Sequence, residues 1–426
     1  MYEIARVAVK ACARAAPKGQ RAYSRKANMN LPCLPQRLSA PLPFSLVFSI
    51  LSQGCGDGGS VTAAPIQSPM SAMARLGEKV FHDPALSASG QMACSTCHDE
   101  AHAFTPTNGL PVQLGGPNLD RSGTRDTPAI RYLVYSPPFR IGSDGPVGGL
   151  FWDGRAGSLA AQAAEPFLNP REMANGSKAE VVAKLAAAPY AQDFLDLFGS
   201  TAFADVEGAY LRMSLAVQQY EREDVAFRPF SSKYDAFLRG ELQLSPQELR
   251  GLALFNSPTK GNCAACHPSA RGSNGSMPLF TDFSYDALGL PRNMQISANA
   301  DPTYFDLGLC QRPELADRKD LCGAFKVPSL RNVARRKGFF HNARFTSLKD
   351  AITFYVQRDT NPEKFYPVDQ NGTVLKFDDL PPEYHRNVNT VEVPYNRRPG
   401  EAPALDEAAI DDLMAFLGTL DDGFTP

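Results

Sequence analysis

The chain has 426 residues, an apolar fraction of 43%, and 43 Lys and Arg against 45 Asp and Glu. That is enough for two domains with full cores, and it excludes a disordered or fibrous protein. The near-neutral total hides an asymmetry: residues 1–55 hold eight basic residues and one acidic, which leaves 35 basic against 44 acidic (43 less 8, 45 less 1). A remainder of that charge repels phosphate backbones, so nucleic acid is excluded as a partner.

The N-terminal segment reads as an export signal. Arg21, Arg25, Lys26 and Arg37 form a basic region, followed by the apolar run Pro43–Leu51. That run is too short to span a bilayer and fits a signal's hydrophobic region. Met29 is an alternative start. Gly54-Cys55 resembles a lipoprotein site, although Leu51 sits one position too far from Cys55; plain cleavage near Ala63-Ala64 is the other outcome. Residues 1–55 are therefore expected to be a leader, and 56–70, small and polar, a tether. The expected location is the periplasm, with or without a lipid anchor. Of nine cysteines, Cys12, Cys33 and Cys55 fall in the leader. Cys310 and Cys322 are left over in an exported chain, where an oxidising compartment favours a disulfide over two free thiols.

Beyond the tether a pattern occurs twice. Leu76-Gly-Glu-Lys-Val-Phe81 precedes Cys94-Ser-Thr-Cys97-His98, and Leu249-Arg-Gly-Leu-Ala-Leu-Phe255 precedes Cys263-Ala-Ala-Cys266-His267. Each is followed much later by an amphipathic segment, Val206–Tyr220 and Asp406–Leu417, whose apolar residues recur at spacings of three and four. The duplication predicts two helical domains. Ser245-Pro246-Gln-Glu248 has the form of a helix start and places the boundary near 232–246. The Gly-, Pro-, Asn- and Asp-rich stretches 105–150 and 358–402 read as loops wrapping a cofactor or an interface. The fold class is mainly α: two cytochrome c-like helical domains, 71–240 and 241–426, with long haem-wrapping loops.

Cys-x-x-Cys-His attaches haem c: two thiols three residues apart reach the two vinyl groups of one porphyrin edge, and the adjacent His presents an imidazole to the iron. A single copy is also compatible with a zinc or redox pair; two copies in matched contexts point to two covalently attached c-type haems. Cys94, Cys97, Cys263 and Cys266 are the attachment residues, and His98 and His267 the first iron ligands. The sixth position decides between electron carriage and chemistry. His82, His102, His341 and His385 are not singled out by spacing and read as surface or supporting histidines. A second constellation is Phe151-Trp-Asp-Gly-Arg155, with Gln162, Pro166 and Asn169-Pro-Arg-Glu-Met173. Trp152 is the only tryptophan; core packing is its ordinary role, and an exposed helix-start carboxylate is that of Glu172.

Together these strings, with Gly77–Ser87, Phe325–Asn332 and Phe340-His341-Asn342, resemble the bacterial di-haem cytochrome c peroxidase family and its MauG-like branch, from about Met73 to Thr419. The resemblance implies that the haem on His98 meets hydrogen peroxide and that Glu172 is the distal acid–base. It also implies that Gln162 and Pro166 line the distal pocket and that Trp152 lies between the haems. The C-terminal domain is then the electron-transfer domain. In classical members its haem is closed by a methionine fourteen residues after the Phe-His histidine; counting from His341 reaches Tyr355, the MauG-like choice, with Tyr220, Tyr285 and Tyr304 as weaker competitors. Residues 103–150 contain no histidine, so the first haem should be open at rest. Relatives hold calcium between the domains, at positions that correspond here to Asp126, Arg336 and Gly338. Asp126 and Gly338 are candidate calcium ligands, and pairing of Arg336 with Asp126 is the alternative. The final reductant is a small cytochrome or copper protein, or residues of a partner protein. A non-catalytic electron-transfer cytochrome is the competing class.

Overall fold

The computed structural model describes residues 69–425. The leader, the Cys55 lipid site, the start at Met29 and most of the tether lie outside the described residues. Helix α1 (Ala72–Phe81) starts where the Ser71 hydroxyl accepts from the Ala74 N–H. It is followed by α2 (Leu159–Leu168), α3 (Lys178–Ala186), α4 (Ala191–Phe198) and α5 (Val206–Glu223). The second half holds α6 (Lys233–Leu238), α7 (Pro246–Asn256), α8 (Leu348–Gln357) and α9 (Glu407–Gly418). All but α4 begin on a Ser or Asp side-chain cap, which satisfies a backbone N–H of the first turn. Three short antiparallel pairs interrupt the loops: β1 (Leu114–Gly115) with β2 (Arg121–Ser122), β3 (Arg140–Gly142) with β4 (Gly145–Val147), and β5 (Tyr285–Asp286) with β6 (Phe325–Lys326). The long stretches expected as loops contain these hairpins and isolated 3-10 turns. Among the described residues no helix is long and apolar enough to cross a membrane.

The repeated Gly-x-x-x-Phe has a packing explanation. Helix α1 crosses α5 at Gly77, where an added Cβ would lie 1.9 Å from the Ala216 carbonyl oxygen; α7 crosses α9 at Gly251, where it would lie 2.0 Å from the Asp412 carbonyl oxygen. Each glycine lets two backbones touch, and each phenylalanine one turn later fills the core beside the crossing. Phe81 packs edge-on to Tyr220, Phe104 and Phe227; Phe255 packs on Phe280 and Phe416. Burying each ring is worth about 1.5–3 kcal/mol. Two separate cores result, one built from residues between Leu76 and Phe227, the other from residues between Tyr234 and Leu420. Both lie in one compact unit.

Charged pairs tie the halves together. Within the second half, Arg331 binds the Asp235 carboxylate through both terminal nitrogens, at 2.8 and 2.9 Å, with both side chains fully buried. Its guanidinium also stacks on Tyr132 and Phe230. Tyr132 donates to Asp422, which also accepts from Arg131 and Asn332. Cys310 and Cys322 are joined as a disulfide, the pairing expected over two free thiols, and close a small core of Leu309, Leu315, Leu321 and Ala324.

Candidate active site

One cavity of about 630 Å³ is lined by both Cys-x-x-Cys-His motifs. In each motif the histidine is held the same way. His98 Nδ1 lies 3.1 Å from the Phe104 carbonyl oxygen, and His267 Nδ1 lies 2.7 Å from that of Phe280. Both phenylalanines adopt left-handed backbone angles, φ 57° and 54°. The carbonyl fixes the Nδ1–H tautomer and leaves Nε2 as the donor for iron. Burial pushes His98 down to about 4, so its imidazole is neutral, as a metal ligand must be. None of the four motif cysteines is disulfide-bonded. Among the described residues no group of three His, Cys, Asp or Glu donors is arranged to hold a bare metal ion. The residues present fit two thioether-bound haems.

The residues expected around the distal pocket come together on this cavity. Helix α2 supplies Gln162 and Pro166, and the turn after it supplies Glu172. The turn is pinned from outside: the Gly116 N–H donates to the Glu172 carbonyl at 2.8 Å, and a Cβ on Gly115 would lie 2.2 Å from the Arg171 carbonyl oxygen. Only glycine lets β1 approach so closely. Asn169 Nδ2 donates to Glu172 Oε1 at 2.8 Å. Burial pushes the Glu172 carboxyl up to about 6; Arg155 pulls it back, and Glu165 pushes the same way as burial. Glu172 is thus a half-buried cavity group, not an exposed helix-start carboxylate.

Trp152 is buried and donates from Nε1 to the Asp126 carbonyl oxygen at 2.8 Å. It lines the cavity shared by the two motifs. Arg125 spans Asp153 and Asp306 beside it, at 2.6 Å to each. Tyr355, on α8, lines the same cavity near Phe340 and Tyr395, with ring centroids at 5.4 and 6.0 Å. No described residue hydrogen-bonds its hydroxyl. Burial, aided by Asp286 and the pair Cys263 and Cys266, raises its pKa well above the ordinary phenol range. Of its competitors, Tyr285 donates to the Gly148 carbonyl at 2.6 Å and Tyr220 packs inside the first core. Tyr304 lines the cavity together with Asp306 and Arg125.

At Asp126 and Gly338 the alternative to calcium, pairing with Arg336, is the arrangement present. The Arg336 guanidinium pairs with the Asp126 carboxylate, donates to the Thr127 carbonyl at 3.1 Å, and reaches the Gly338 carbonyl at 3.2 Å through Nε. The acceptors a divalent cation would need are already occupied by a fixed monovalent one. The four remaining histidines divide. His82 and His102 are exposed, and His385 bonds the Leu380 carbonyl. His341 is buried on the cavity wall, stacked on Phe325 at 3.5 Å, with Nε2 3.5 Å from Asp379 and no hydrogen bond.

The model of the family described as di-haem cytochrome c peroxidase matches residues 71–243. The methylamine utilization protein MauG of Paracoccus denitrificans is 36% identical over 376 residues, 85% of this chain and 91% of that protein. The chain belongs to the di-haem cytochrome c peroxidase/MauG family. The cytochrome c551 peroxidase of Nitrosomonas europaea is 30% identical over 66% of this chain and 71% of its own length. The crystal structure of the diheme peroxidase BthA from Burkholderia thailandensis superposes with a TM-score of 0.78 at 40% identity, over 84% of this chain and 88% of that one. The mainly helical di-haem fold and a peroxidase/MauG-like oxidoreductase activity follow.

Sequence reasoning missed three cavity residues of this family member: Arg125, Tyr395 and Glu221. The first two sit in irregular segments with no periodic signal. Glu221 had one: it falls in phase with the apolar face of α5, where a charge is out of place.

Proposed function

We propose that this di-haem oxidoreductase uses hydrogen peroxide at an open haem on His98 and shares the oxidising equivalents with a second haem held by His267 and Tyr355. When bound, the haems supply peroxide reduction at iron and a second redox centre. The observation that carries the reading is Glu172, a carboxyl poised near neutrality on the wall of the first motif's cavity. It accepts the first peroxide proton and returns it to the departing oxygen. Gln162 and Pro166 shape the space around it. Met92 and Met173, the two thioethers that line the cavity, are both packed into the first core.

Trp152 provides an oxidisable ring between the haem-binding halves 71–240 and 241–426. Its N–H faces a backbone carbonyl that cannot take the proton, so an electron taken from the indole returns without proton transfer. Tyr355 keeps its proton in the apolar cavity and gives it up only to a cation placed against its oxygen. A hard anionic donor of that kind favours ferric and higher-valent iron over methionine ligation. The protein acts in the periplasm, free or lipid-anchored, and the equivalents leave to a small cytochrome or copper protein or to residues of a partner protein. Tyr355 favours the last.

Low-temperature electron paramagnetic resonance of the oxidised protein tests the reading. One high-spin and one low-spin ferric signal are expected, and both should fall on adding peroxide. Two low-spin signals unmoved by peroxide would make the protein an electron-transfer cytochrome. Tyr355→Phe should turn the second signal high-spin; an unchanged low-spin signal assigns the ligand elsewhere.

A further inference from the structure

The first motif's cavity has a second carboxyl that the peroxide chemistry does not use. Helix α5 turns Met213, Val217 and Glu221 inward at successive spacings of four, and Glu221 is 4% exposed. Val217 and Glu221 face the cavity together with Met92, Ala93 and Cys94. Oε2 of Glu221 is buried without a hydrogen-bond partner.

Among the described residues no cation compensates it. On α1, Arg75 binds the Met70 carbonyl, Lys79 pairs with Asp193, and Glu78 bears on Tyr220. On α2, Glu165 pairs with Arg155. On α3, Lys178 pairs with Glu207, and Lys184 with Glu180. On α5 itself, Arg222 is exposed and Glu223 accepts from Ser71. Across the cavity, Glu221 and Glu172 both act electrostatically on Cys94, whose thiol is consumed once haem is attached.

We infer that Glu221 is the proton-exchanging group of the haem site on His98, holding a proton while the iron is reduced and releasing it when the iron is oxidised. The inference rests on haem attachment at Cys94 and Cys97, not on the peroxide reaction. Each one-electron oxidation of the site then balances: ferrous iron and Glu221–COOH would give ferric iron and Glu221–COO⁻, with one electron passed to the redox mediator of the titration and one proton to solvent. The physical reason is charge. An ionised carboxyl without partners is costly in a low-dielectric wall, so the neutral form is held; burial alone pushes Glu221 up to about 8. A positive charge arriving on the iron removes that cost and draws the proton off. The exchange keeps the cavity's net charge constant between the reduced and the oxidised site.

Potentiometric titration of the di-haem protein over a range of pH tests this. The midpoint of the His98 haem should fall as pH rises, approaching about 59 mV per unit where one proton accompanies each electron, the one-electron equivalent of a tenfold change. Glu221→Gln should flatten that slope and leave the slope of the second haem unchanged. A slope that survives in Glu221→Gln, or that vanishes instead in Glu172→Gln, overturns the inference. Should Glu221→Gln fail to accumulate as di-haem protein, the wild type decides. Its oxidised-minus-reduced infrared difference spectrum should contain a protonated-carboxyl band that moves on carbon-13 glutamate labelling and persists in Glu172→Gln. No such band, or its loss in Glu172→Gln, overturns the assignment. Neither readout involves peroxide, so failure here is distinguishable from failure of the proposed function.

Discussion

Glu172 acquires its acid–base character from three neighbours that pull in different directions. Burial and Glu165 raise its pKa; Arg155 and the amide of Asn169 lower it, and the balance stands at about 6. A base must be ionised to take the first proton, so the second-order rate with peroxide should rise as pH increases through about 6 and level off above it. Glu172→Gln keeps the bond to Asn169 but cannot accept a proton, and general acid–base catalysis is worth about 10²–10⁴-fold. Stopped-flow spectroscopy should show a loss of that size together with loss of the pH 6 inflection. An unaltered rate would remove Glu172 from the proton path. Asn169→Ala should act more mildly, since it frees Oε1 without removing the carboxyl.

At the scale of elements, the helix crossings make the sharpest prediction. Gly77→Ala and Gly251→Ala each drive a methyl group into a carbonyl oxygen of the facing helix. Overpacking of this kind costs about 1–3 kcal/mol. Gly157→Ala meets nothing within 4 Å and serves as the control. Thermal melts should show lower midpoints for the first two and no shift for the third; equal behaviour of all three would mean that the helices slide freely. The repeated Gly-x-x-x-Phe was legible in the sequence, though not the crossing it serves, and so were the later helices of each pair. Val206–Tyr220 was read within one turn of Val206–Glu223 because its apolar face repeats, and Asp406 is the cap of Glu407–Gly418. The loops were not legible. Phe104, Phe151, Phe280 and Phe340 all take left-handed backbone angles, which local propensity disfavours for bulky side chains. Tertiary packing imposes them. The sequence therefore pointed to candidate haem-attachment residues but not to the Phe104 and Phe280 carbonyls that orient the two histidines.

For the whole molecule, the decisive feature is where the halves meet around Trp152. Its indole N–H holds the Asp126 carbonyl, and the Asp126 carboxylate, 4% exposed, pairs with Arg336 from the second half. A guanidinium is covalently tethered, whereas a metal ion exchanges with solvent. Treatment with a strong chelator should therefore leave the haem spectra, the melting temperature and peroxide turnover unchanged. A chelator-induced loss restored by calcium would show that Arg336 is not the cation of this seam. Removing the guanidinium is a different perturbation. Arg336→Gln leaves a buried carboxylate without its charge partner, and breaking such a pair costs about 3–5 kcal/mol. Much of that cost should disappear when Asp126 is also changed to Asn, because the orphaned charge is then gone. The double variant should recover most of the melting temperature lost by the single one. If it instead melts lower still, by the sum of two independent losses, the pair contributes through packing and not through charge.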